Sequence, residues 1–115
     1  MVVMSSALAK KLNSLREKGA MKHVDVAQML NTTPETISRW NSGKNYPHPN
    51  TEKTLLELEY IVEELSDLYN PGEARLFFFS PQRLLDGKSP AELVQQGEID
   101  EVRRFVGQIR DAVFL

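Results

Sequence analysis

The stretch Val24–Pro47, VDVAQMLNTTPETISRWNSGKNYP, decides the fold of the first half of this 115-residue chain. Ala27 is small, as a residue must be where two helices cross closely. Asn31, four places later, tolerates the positive φ of a tight turn better than most residues other than glycine. Ile37 and Trp40 lie three residues apart, share one face of a helix and would point inward. The stretch therefore predicts a helix-turn-helix.

Apolar residues at helical spacing continue through almost every other segment, and no segment of convincing length alternates with a period of two. The predicted helices are Ser5–Lys18, His23–Leu30, Pro34–Asn41, Thr51–Tyr69, Glu73–Phe79, a turn or short helix over Pro81–Leu85, Pro90–Gly97 and Asp100–Val113. The sequence therefore predicts an all-α fold. Its expected parts are a helix-turn-helix bundle at residues 1–53, a long connecting helix at 54–69 and a small helical domain at 70–115.

Several helix ends are predicted from residues with special backbone preferences. Gly19 is expected to end the first helix, because glycine adopts the left-handed conformation that follows many helices. Thr32 and Glu35, three residues apart, fit a capping box at the start of the third helix. Thr51 is expected to cap the long helix, after a loop at 44–50 that contains two prolines. Ser89 is expected to cap the short helix that begins at the following proline.

Charge is divided unevenly between the two halves of the chain. Residues 1–53 carry eight basic and four acidic side chains, whereas residues 54–115 carry six basic and twelve acidic ones. A basic surface attracts phosphates and an acidic surface repels them, so the two halves are expected to face different partners. The alternative is a chance distribution on an ordinary helical protein.

The composition argues against several classes of protein. There is no cysteine, so no disulfide or thiolate metal site is expected. No run of about 18 apolar residues occurs, and the N-terminus is too polar for a signal peptide, so a cytoplasmic protein without a membrane partner is expected. No nucleophile–base pair, glycine-rich phosphate loop or metal cluster is visible, so neither an enzyme nor a cofactor is expected. His48, between two prolines, is expected to be a loop residue rather than a metal ligand.

The spacing in Val24–Pro47 resembles the Xre/Cro type of phage-repressor helix-turn-helix, and the resemblance extends over about Met4–Leu58. It implies that the second helix of the pair enters the major groove of DNA by its N-terminal residues. Arg39 can donate to a guanine or a phosphate, and Glu35 can accept from cytosine N4. The predicted DNA-contacting residues are Thr33, Glu35, Thr36, Ser38, Arg39, Asn41 and Lys44. A scaffold that keeps the fold without affinity for DNA stays open as the alternative.

The predicted connecting helix carries an apolar stripe whose spacing alternates between three and four residues, as in a coiled coil. The stripe consists of Leu55, Leu58, Val62, Leu65 and Tyr69. It can form a dimer seam or pack within its own domain. Because a DNA-binding unit of this size gains contacts by binding two half-sites, a homodimer is expected, without assigning this helix to the dimer contact.

Three consecutive phenylalanines, Phe77–Phe79, fall in one of the short predicted helices. Since successive helical residues lie about 100° apart, three of them fan over roughly 200°. At least one is therefore expected to meet another surface, unless the core encloses the helix on several sides. Short helices are unstable alone, so those of this half must pack on one another, on the long helix or on a partner.

A second resemblance covers this C-terminal half. It rests on Ala74, the aromatic Phe77, the block SPQRLLDGKSPAEL at 80–93, Gly97, Val102 and the ending GQIRDAVFL. These features resemble the Xre/MbcA/ParS toxin-binding domain of antitoxins that are paired with RES-domain toxins. Phe77 stands where tryptophan is usual, and Asp111-Ala112 stands where a glycine is often found.

This resemblance implies an antitoxin that holds a cognate NAD-consuming RES toxin inactive at its active-site cleft, aided by the antitoxin's own C-terminal end. The predicted toxin-contacting residues are Phe77, Lys88, Arg110, Val113, Phe114 and Leu115. The apolar end, with a terminal carboxylate, would fit a pocket that binds phosphates and an aromatic base. The alternative is that this end folds back onto the antitoxin's own core. The complex is expected to bind its own promoter through the first half.

A different interpretation of the same chain is a solitary transcriptional repressor of the Xre type. Its C-terminal half would then only dimerise or sense a ligand. The apolar end and the toxin-binding block argue against this interpretation, and a stable complex with a toxin would decide between the two.

Overall fold

The computed structural model describes residues 3–114, and over this range the chain forms helices joined by short loops. The helices are α1 (Val3–Gly19), α2 (His23–Met29), α3 (Pro34–Ser42), α4 (Pro49–Leu65), α5 (Pro71–Phe79), α6 (Pro90–Gln95) and α7 (Ile99–Val113), with a 3-10 turn at Arg83–Leu85. The predicted all-α class is confirmed. None of the helices in this range is both long and apolar enough to cross a membrane.

The helix α4 links the two halves of the chain, because it packs against both α1 and α7. Its residues Leu55, Leu58, Val62 and Leu65 are all buried. The apolar stripe is therefore used inside the chain, which is the second of the two uses predicted for it. Buried residues from α1 to α7 form one continuous cluster. The boundaries predicted at residues 53 and 69 stay a prediction, but no break in the core marks them.

The helix α4 begins and ends earlier than predicted. Pro49 lies in its first turn, where the missing proline N–H would have no helical partner in any case, so the expected cap at Thr51 is wrong. The helix ends at Leu65, and Tyr69 follows a turn. The ring of Tyr69 instead stacks on Phe77, with centroids 5.6 Å apart.

The start of α3 is capped one residue later than predicted. Thr33 Oγ1 accepts a hydrogen bond from the backbone N–H of Thr36 at 3.2 Å, and Pro34 occupies the first turn. The capping box predicted from Thr32 and Glu35 is therefore wrong, because the residue that directly precedes Pro34 takes the cap position. The cap predicted at Ser89 is confirmed.

Gly19 does not end α1 in the way predicted. It is the last residue of the helix, as its place in the sequence predicts, and a Cβ atom built on it would approach Val62 Cγ1 to 3.1 Å. Glycine at this position thus allows α1 and α4 to pack closely. The left-handed conformation falls instead on Ala20, with φ at 52°.

The three phenylalanines of α5 all contact the core. Phe78 is fully buried, and Phe77 and Phe79 are partly buried against the same cluster. The structure therefore matches the alternative in which the core encloses this helix on several sides. The large apolar side chain that α5 exposes is Leu76, at 70%.

Candidate functional site

The helix-turn-helix forms from α2 and α3 as the spacing predicts. Asn31 takes the left-handed conformation in the turn, with φ at 57°. The backbone N–H of Thr32 donates to the carbonyl oxygen of Ala27 at 2.9 Å, which closes the turn. Ile37 and Trp40 are buried, at 0% and 4% exposure. These anchors fix which face of α3 is turned toward solvent.

The predicted DNA-contacting residues lie together on α3 and at its two ends. Six of them are exposed, namely Thr33, Glu35, Ser38, Arg39, Asn41 and Lys44, and Thr36 is half-buried. The hydroxyls of Thr33 and Thr36 lie 3.0 Å apart and hydrogen-bond to each other at the helix cap. Glu35, Ser38 and Arg39 thus form an exposed polar face with both donors and acceptors. Such a face has the chemistry to contact base edges.

The helix-turn-helix is tied to the C-terminal half by an ion pair that the sequence did not predict. The guanidinium of Arg75 on α5 donates to both carboxylate oxygens of Asp25 on α2, at 2.6 and 3.1 Å. It also donates to the carbonyl oxygen of Ala20 at 2.8 Å, and it lies 4.9 Å from the ring centroid of Phe79. We refer to the pair Asp25 and Arg75 as the joint.

The protonation of the joint follows from its surroundings. Burial raises the pKa of the Asp25 carboxyl, but hydrogen bonds from Arg75 and from the backbone N–H of Lys22 outweigh burial and hold that pKa below its usual 3.8. The same hydrogen bond to Asp25 raises the pKa of Arg75. The joint is therefore an ionised pair at neutral pH.

A second contact links the same two halves. The side-chain amide of Asn31, in the turn between α2 and α3, donates to the backbone oxygen of Gln95 at 3.0 Å. Gln95 is the last residue of α6, where carbonyl groups lack helical partners. The helix-turn-helix is thus held on the C-terminal half at two places, the joint and this turn.

Two of the residues predicted to contact a toxin have partners within the chain. Phe77 lies between Tyr69 and Phe105, with ring centroids 5.6 and 5.7 Å away. Because Phe105 belongs to α7, this stack of three rings packs α5 against α7. Lys88 is exposed, and its ammonium contacts the side-chain oxygen of Gln96 at 3.1 Å. Their assignment to a toxin contact stays a prediction.

The end of α7 brings three of the predicted toxin-contacting residues together. Val113 and Phe114 are 60% and 63% exposed, so this end does not fold back into the core. The guanidinium of Arg110 contacts Asp67 at 3.2 Å and lies 5.7 Å from the ring centroid of Phe114. Arg110 is thus paired within the chain and positioned against Phe114. The remaining predicted residue, Leu115, lies outside the described residues.

Two exposed leucines of the C-terminal half were not predicted as contact residues. Leu76 on α5 and Leu84 in the 3-10 turn are 70% and 78% exposed. The pair Leu84-Leu85 offered a signal of this exposure in the sequence, because two adjacent leucines in a short turn cannot both face the core.

Within residues 3–114, no group of histidine, aspartate and glutamate side chains could hold a metal ion.

Comparisons with known proteins agree with this architecture. No family model matches the chain. It is 27% identical over 110 residues to the mycobacterial cidal antitoxin MbcA of Mycobacterium tuberculosis strain H37Rv, covering 96% of this chain and 97% of that protein. It is also 26% identical over 92 residues to a probable mycobacterial cidal antitoxin of the same organism, covering 80% and 78% of the two chains.

A solved structure extends the comparison to three dimensions. A chain of the crystal structure of the M. tuberculosis MbcT–MbcA toxin–antitoxin complex superimposes with a TM-score of 0.78 and 28% identity. The match covers 94% of this chain and 97% of that one. The chain described here is therefore a homologue of the mycobacterial cidal antitoxin MbcA over nearly its whole length, with the same all-helical fold.

Proposed function

We propose that this chain is the antitoxin of a toxin–antitoxin pair, which binds a cognate protein toxin and holds it inactive. The observation that carries the proposal is its similarity to MbcA, which spans 96% of this chain and 97% of that antitoxin. Because both halves of the chain are included in the match, it is not limited to the common helix-turn-helix.

The C-terminal half supplies the proposed toxin contact. Val113 and Phe114 are exposed at the end of α7, and full burial of such side chains is worth about 1.5–3 kcal/mol each. The guanidinium of Arg110 lies 5.7 Å from the ring centroid of Phe114 and covers part of one side of it. Leu115 extends this apolar end in the sequence.

The toxin is proposed to be of the RES type and to consume NAD. This part rests on the block SPQRLLDGKSPAEL at 80–93 and on the apolar end. Most of that block lies in the 3-10 turn, α6 and the loop between them, on the same half of the molecule as α7. Expressing the toxin gene alone and measuring cellular NAD would test this part. Unchanged NAD during growth arrest would contradict it.

The helix-turn-helix is proposed to bind the promoter of the chain's own operon, as a homodimer. The exposed polar face of α3 supports this part, because it combines the carboxylate of Glu35 with the guanidinium of Arg39. A dimer would place two such faces on successive half-sites. Autoregulation would then follow from the same chain binding both toxin and DNA.

The direct test is a tagged pull-down from the native host, comparing the full chain with a chain that lacks residues 113–115. We expect the full chain to retain a roughly stoichiometric small protein and the shortened chain to lose it. Bound DNA, measured in the same samples, should be equal for both. A full chain that recovers promoter DNA but no protein partner would favour the solitary repressor instead.

A matched neutralisation assay separates binding from protection. Toxin is expressed together with the full chain, the shortened chain or the variant Val24→Ser, whose exposed apolar side chain lies on α2. The full chain and Val24→Ser are expected to restore growth, and the shortened chain is not. Full protection by the shortened chain would exclude the end of α7 as the toxin contact.

A further inference from the structure

The helix α4 has a second, narrower apolar stripe on the side that the core does not use. Leu56 is 44% and Tyr60 59% exposed, and they lie four residues apart, on one side of the helix. The exposed Lys53 and Glu63 flank them, and we refer to these four residues as the α4 face. We infer that the α4 face binds a second copy of the chain, with the two α4 helices antiparallel. This inference rests on the homodimer part of the proposed function and assigns a surface to it.

The order of residues along the α4 face is self-complementary. Lys53 lies three residues before Leu56, and Glu63 lies three residues after Tyr60, all within an arc of about 80° around the helix. Two antiparallel copies, with a two-fold axis at the level of Leu58, place Leu56 opposite Tyr60 of the partner subunit. The same alignment places Lys53 opposite Glu63 of the partner subunit. Each contact then occurs twice, as two-fold symmetry requires.

The charges favour this antiparallel arrangement over a parallel one. Two parallel copies in register would place each Lys53 opposite a lysine and each Glu63 opposite a glutamate, and like charges repel. None of the ion pairs within residues 3–114 involves Lys53, so its charge is available. Glu63 contacts Lys18 of α1, but its side chain is still 48% exposed. A carboxylate has enough acceptor sites for a second cation.

A cleft beside the C-terminal part of the α4 face supplies complementary shape. Its walls include Tyr60, Glu63 and Asp67 on the α4 side, with Lys18 of α1 and Arg110 of α7. The antiparallel arrangement brings the N-terminal half of the second copy's α4 over this cleft. A projecting leucine and lysine then meet a concave surface that contains exposed carboxylates.

The size of the α4 face sets the strength of the contact. The helix has 17 residues and is therefore about 25 Å long. A contact between two such helices buries less area than a standard protein interface, which is typical of weak association. We therefore expect a dissociation constant on the order of micromolar for the free chain. A duplex with two half-sites would hold both copies and strengthen the dimer.

The first test measures self-association of the full chain by sedimentation velocity over a series of concentrations. Leu56→Glu is expected to raise the dissociation constant of the dimer more than about tenfold, because it places a carboxylate in the apolar centre of the contact. Leu76→Glu is the matched control, since Leu76 is also exposed, at 70%, but lies on α5. It should associate as the wild type does, and circular dichroism should show the same helix content for all three chains.

Charge reversal tests the pairing of Lys53 with Glu63 of the partner subunit. Lys53→Glu and Glu63→Lys are each expected to raise the dissociation constant about five- to tenfold, because like charges then face each other twice per dimer. The variant with both changes should recover to within about threefold of the wild type. Lys53→Gln should differ less than about threefold, because an exposed ion pair contributes little. A double variant that stays as weak as the single ones would contradict the pairing.

The register can be tested by cross-linking, since the chain contains no cysteine. Chains with Leu56→Cys are mixed with chains that carry Tyr60→Cys, and the mixture is oxidised. We expect a covalent dimer in the mixture and neither variant cross-linked alone, because only facing positions come close enough for a disulfide. Cross-linking of Leu56→Cys with itself would indicate a parallel contact and contradict the inference, as would the absence of any covalent dimer.

The outcomes distinguish this inference from the proposed function. If the wild-type chain dimerises and Leu56→Glu dimerises equally well, the inference is wrong while the homodimer stands. If Leu56→Glu stays dimeric but loses affinity for the toxin, the α4 face belongs to the toxin contact and the inference is again wrong. A wild-type chain that is monomeric throughout the concentration series would remove the homodimer and the inference together, and would leave toxin binding unaffected.

Discussion

On α3 the exposed side chains after Pro34 are polar or charged, among them Glu35, Ser38 and Arg39, whereas the end of α7 exposes the apolar Val113 and Phe114. Polar groups of the first kind are satisfied by water and can exchange it for base edges or phosphates. Apolar groups of the second kind gain free energy when another surface covers them. The two regions are thus suited to different partners, although both belong to one helical fold.

The interior does not repeat this division. One continuous core runs from α1 to α7, and the joint and the bond between Asn31 and Gln95 cross between the two halves. A substitution on either surface should therefore affect one partner, whereas a substitution at the joint should affect the whole molecule. The following experiments test that contrast, from the largest expected effect to the smallest.

Arg75→Met is expected to lower the free energy of unfolding by about 2–3 kcal/mol, because it leaves the carboxylate of Asp25 without its partner. Breaking a fully buried pair has a larger effect, but the side chain of Arg75 is 39% exposed and solvent screens part of the interaction. Urea unfolding followed by circular dichroism measures the change.

The matched control for Arg75→Met is Arg103→Met. Arg103 also joins two helices, through Glu57 at 3.0 Å, but its side chain is 50% exposed. We expect a change below about 1 kcal/mol for this exposed pair. Equal losses for the two variants would show that the joint is no more important than a surface ion pair.

Phe114→Ser is expected to weaken toxin binding roughly 10- to 100-fold and to leave stability and DNA affinity unchanged. The physical reason is that its exposed ring becomes buried only in the complex, where burial is worth about 1.5–3 kcal/mol. Isothermal titration with the purified toxin gives the affinity. Val24→Ser removes a comparable exposed apolar side chain from α2 and should bind toxin as the wild type does.

Arg39→Gln is expected to weaken binding to a DNA duplex from the region upstream of the chain's own gene by about 1–2 kcal/mol, because α3 would contact the bases. Its affinity for the toxin should not change. Fluorescence anisotropy with labelled duplex measures the effect. Lys53→Gln removes one positive charge from α4, outside α3, and serves as the control. A loss of toxin affinity in Arg39→Gln would break the separation of the two surfaces.

Acid should weaken the joint selectively. The pKa of Asp25 is lower in the folded chain than its usual 3.8. The ionised pair therefore stabilises the fold above about pH 3.8, and this contribution to stability is lost as the pH falls through the folded pKa. Unfolding free energies measured between neutral pH and pH 3 should therefore decrease more for the wild type than for Asp25→Asn. Parallel pH profiles for the two chains would contradict the assignment.

Sequence predicted the helix-turn-helix in detail because its determinants are local. Asn31, Ile37 and Trp40 lie within ten residues of one another, and the turn and the inward face follow from their spacing. The start of α3 at Pro34 was predicted correctly, but its cap was placed one residue too early. Thr32 and Thr33 are adjacent, and the cap position falls to Thr33 because it directly precedes Pro34.

The contacts between the halves could not be predicted in the same way. Asp25 and Arg75 are 50 residues apart, and nothing in the sequence selects Arg75 over the other cations of the second half. The exposure of Phe114 was equally open, because an apolar residue after an amphipathic helix can cover its own core or wait for a partner. Only the packing of α7 on α4 distinguishes these cases.

The joint also bears on how such chains can evolve. A recombinant gene that joined this C-terminal half to a different helix-turn-helix would retain Arg75 but would need a new acidic partner at the position of Asp25. Exchange of whole modules is therefore restricted to donors that carry a carboxylate there. Point changes on the exposed face of α3 meet no such restriction, so this face can diverge among related chains while the interior stays the same.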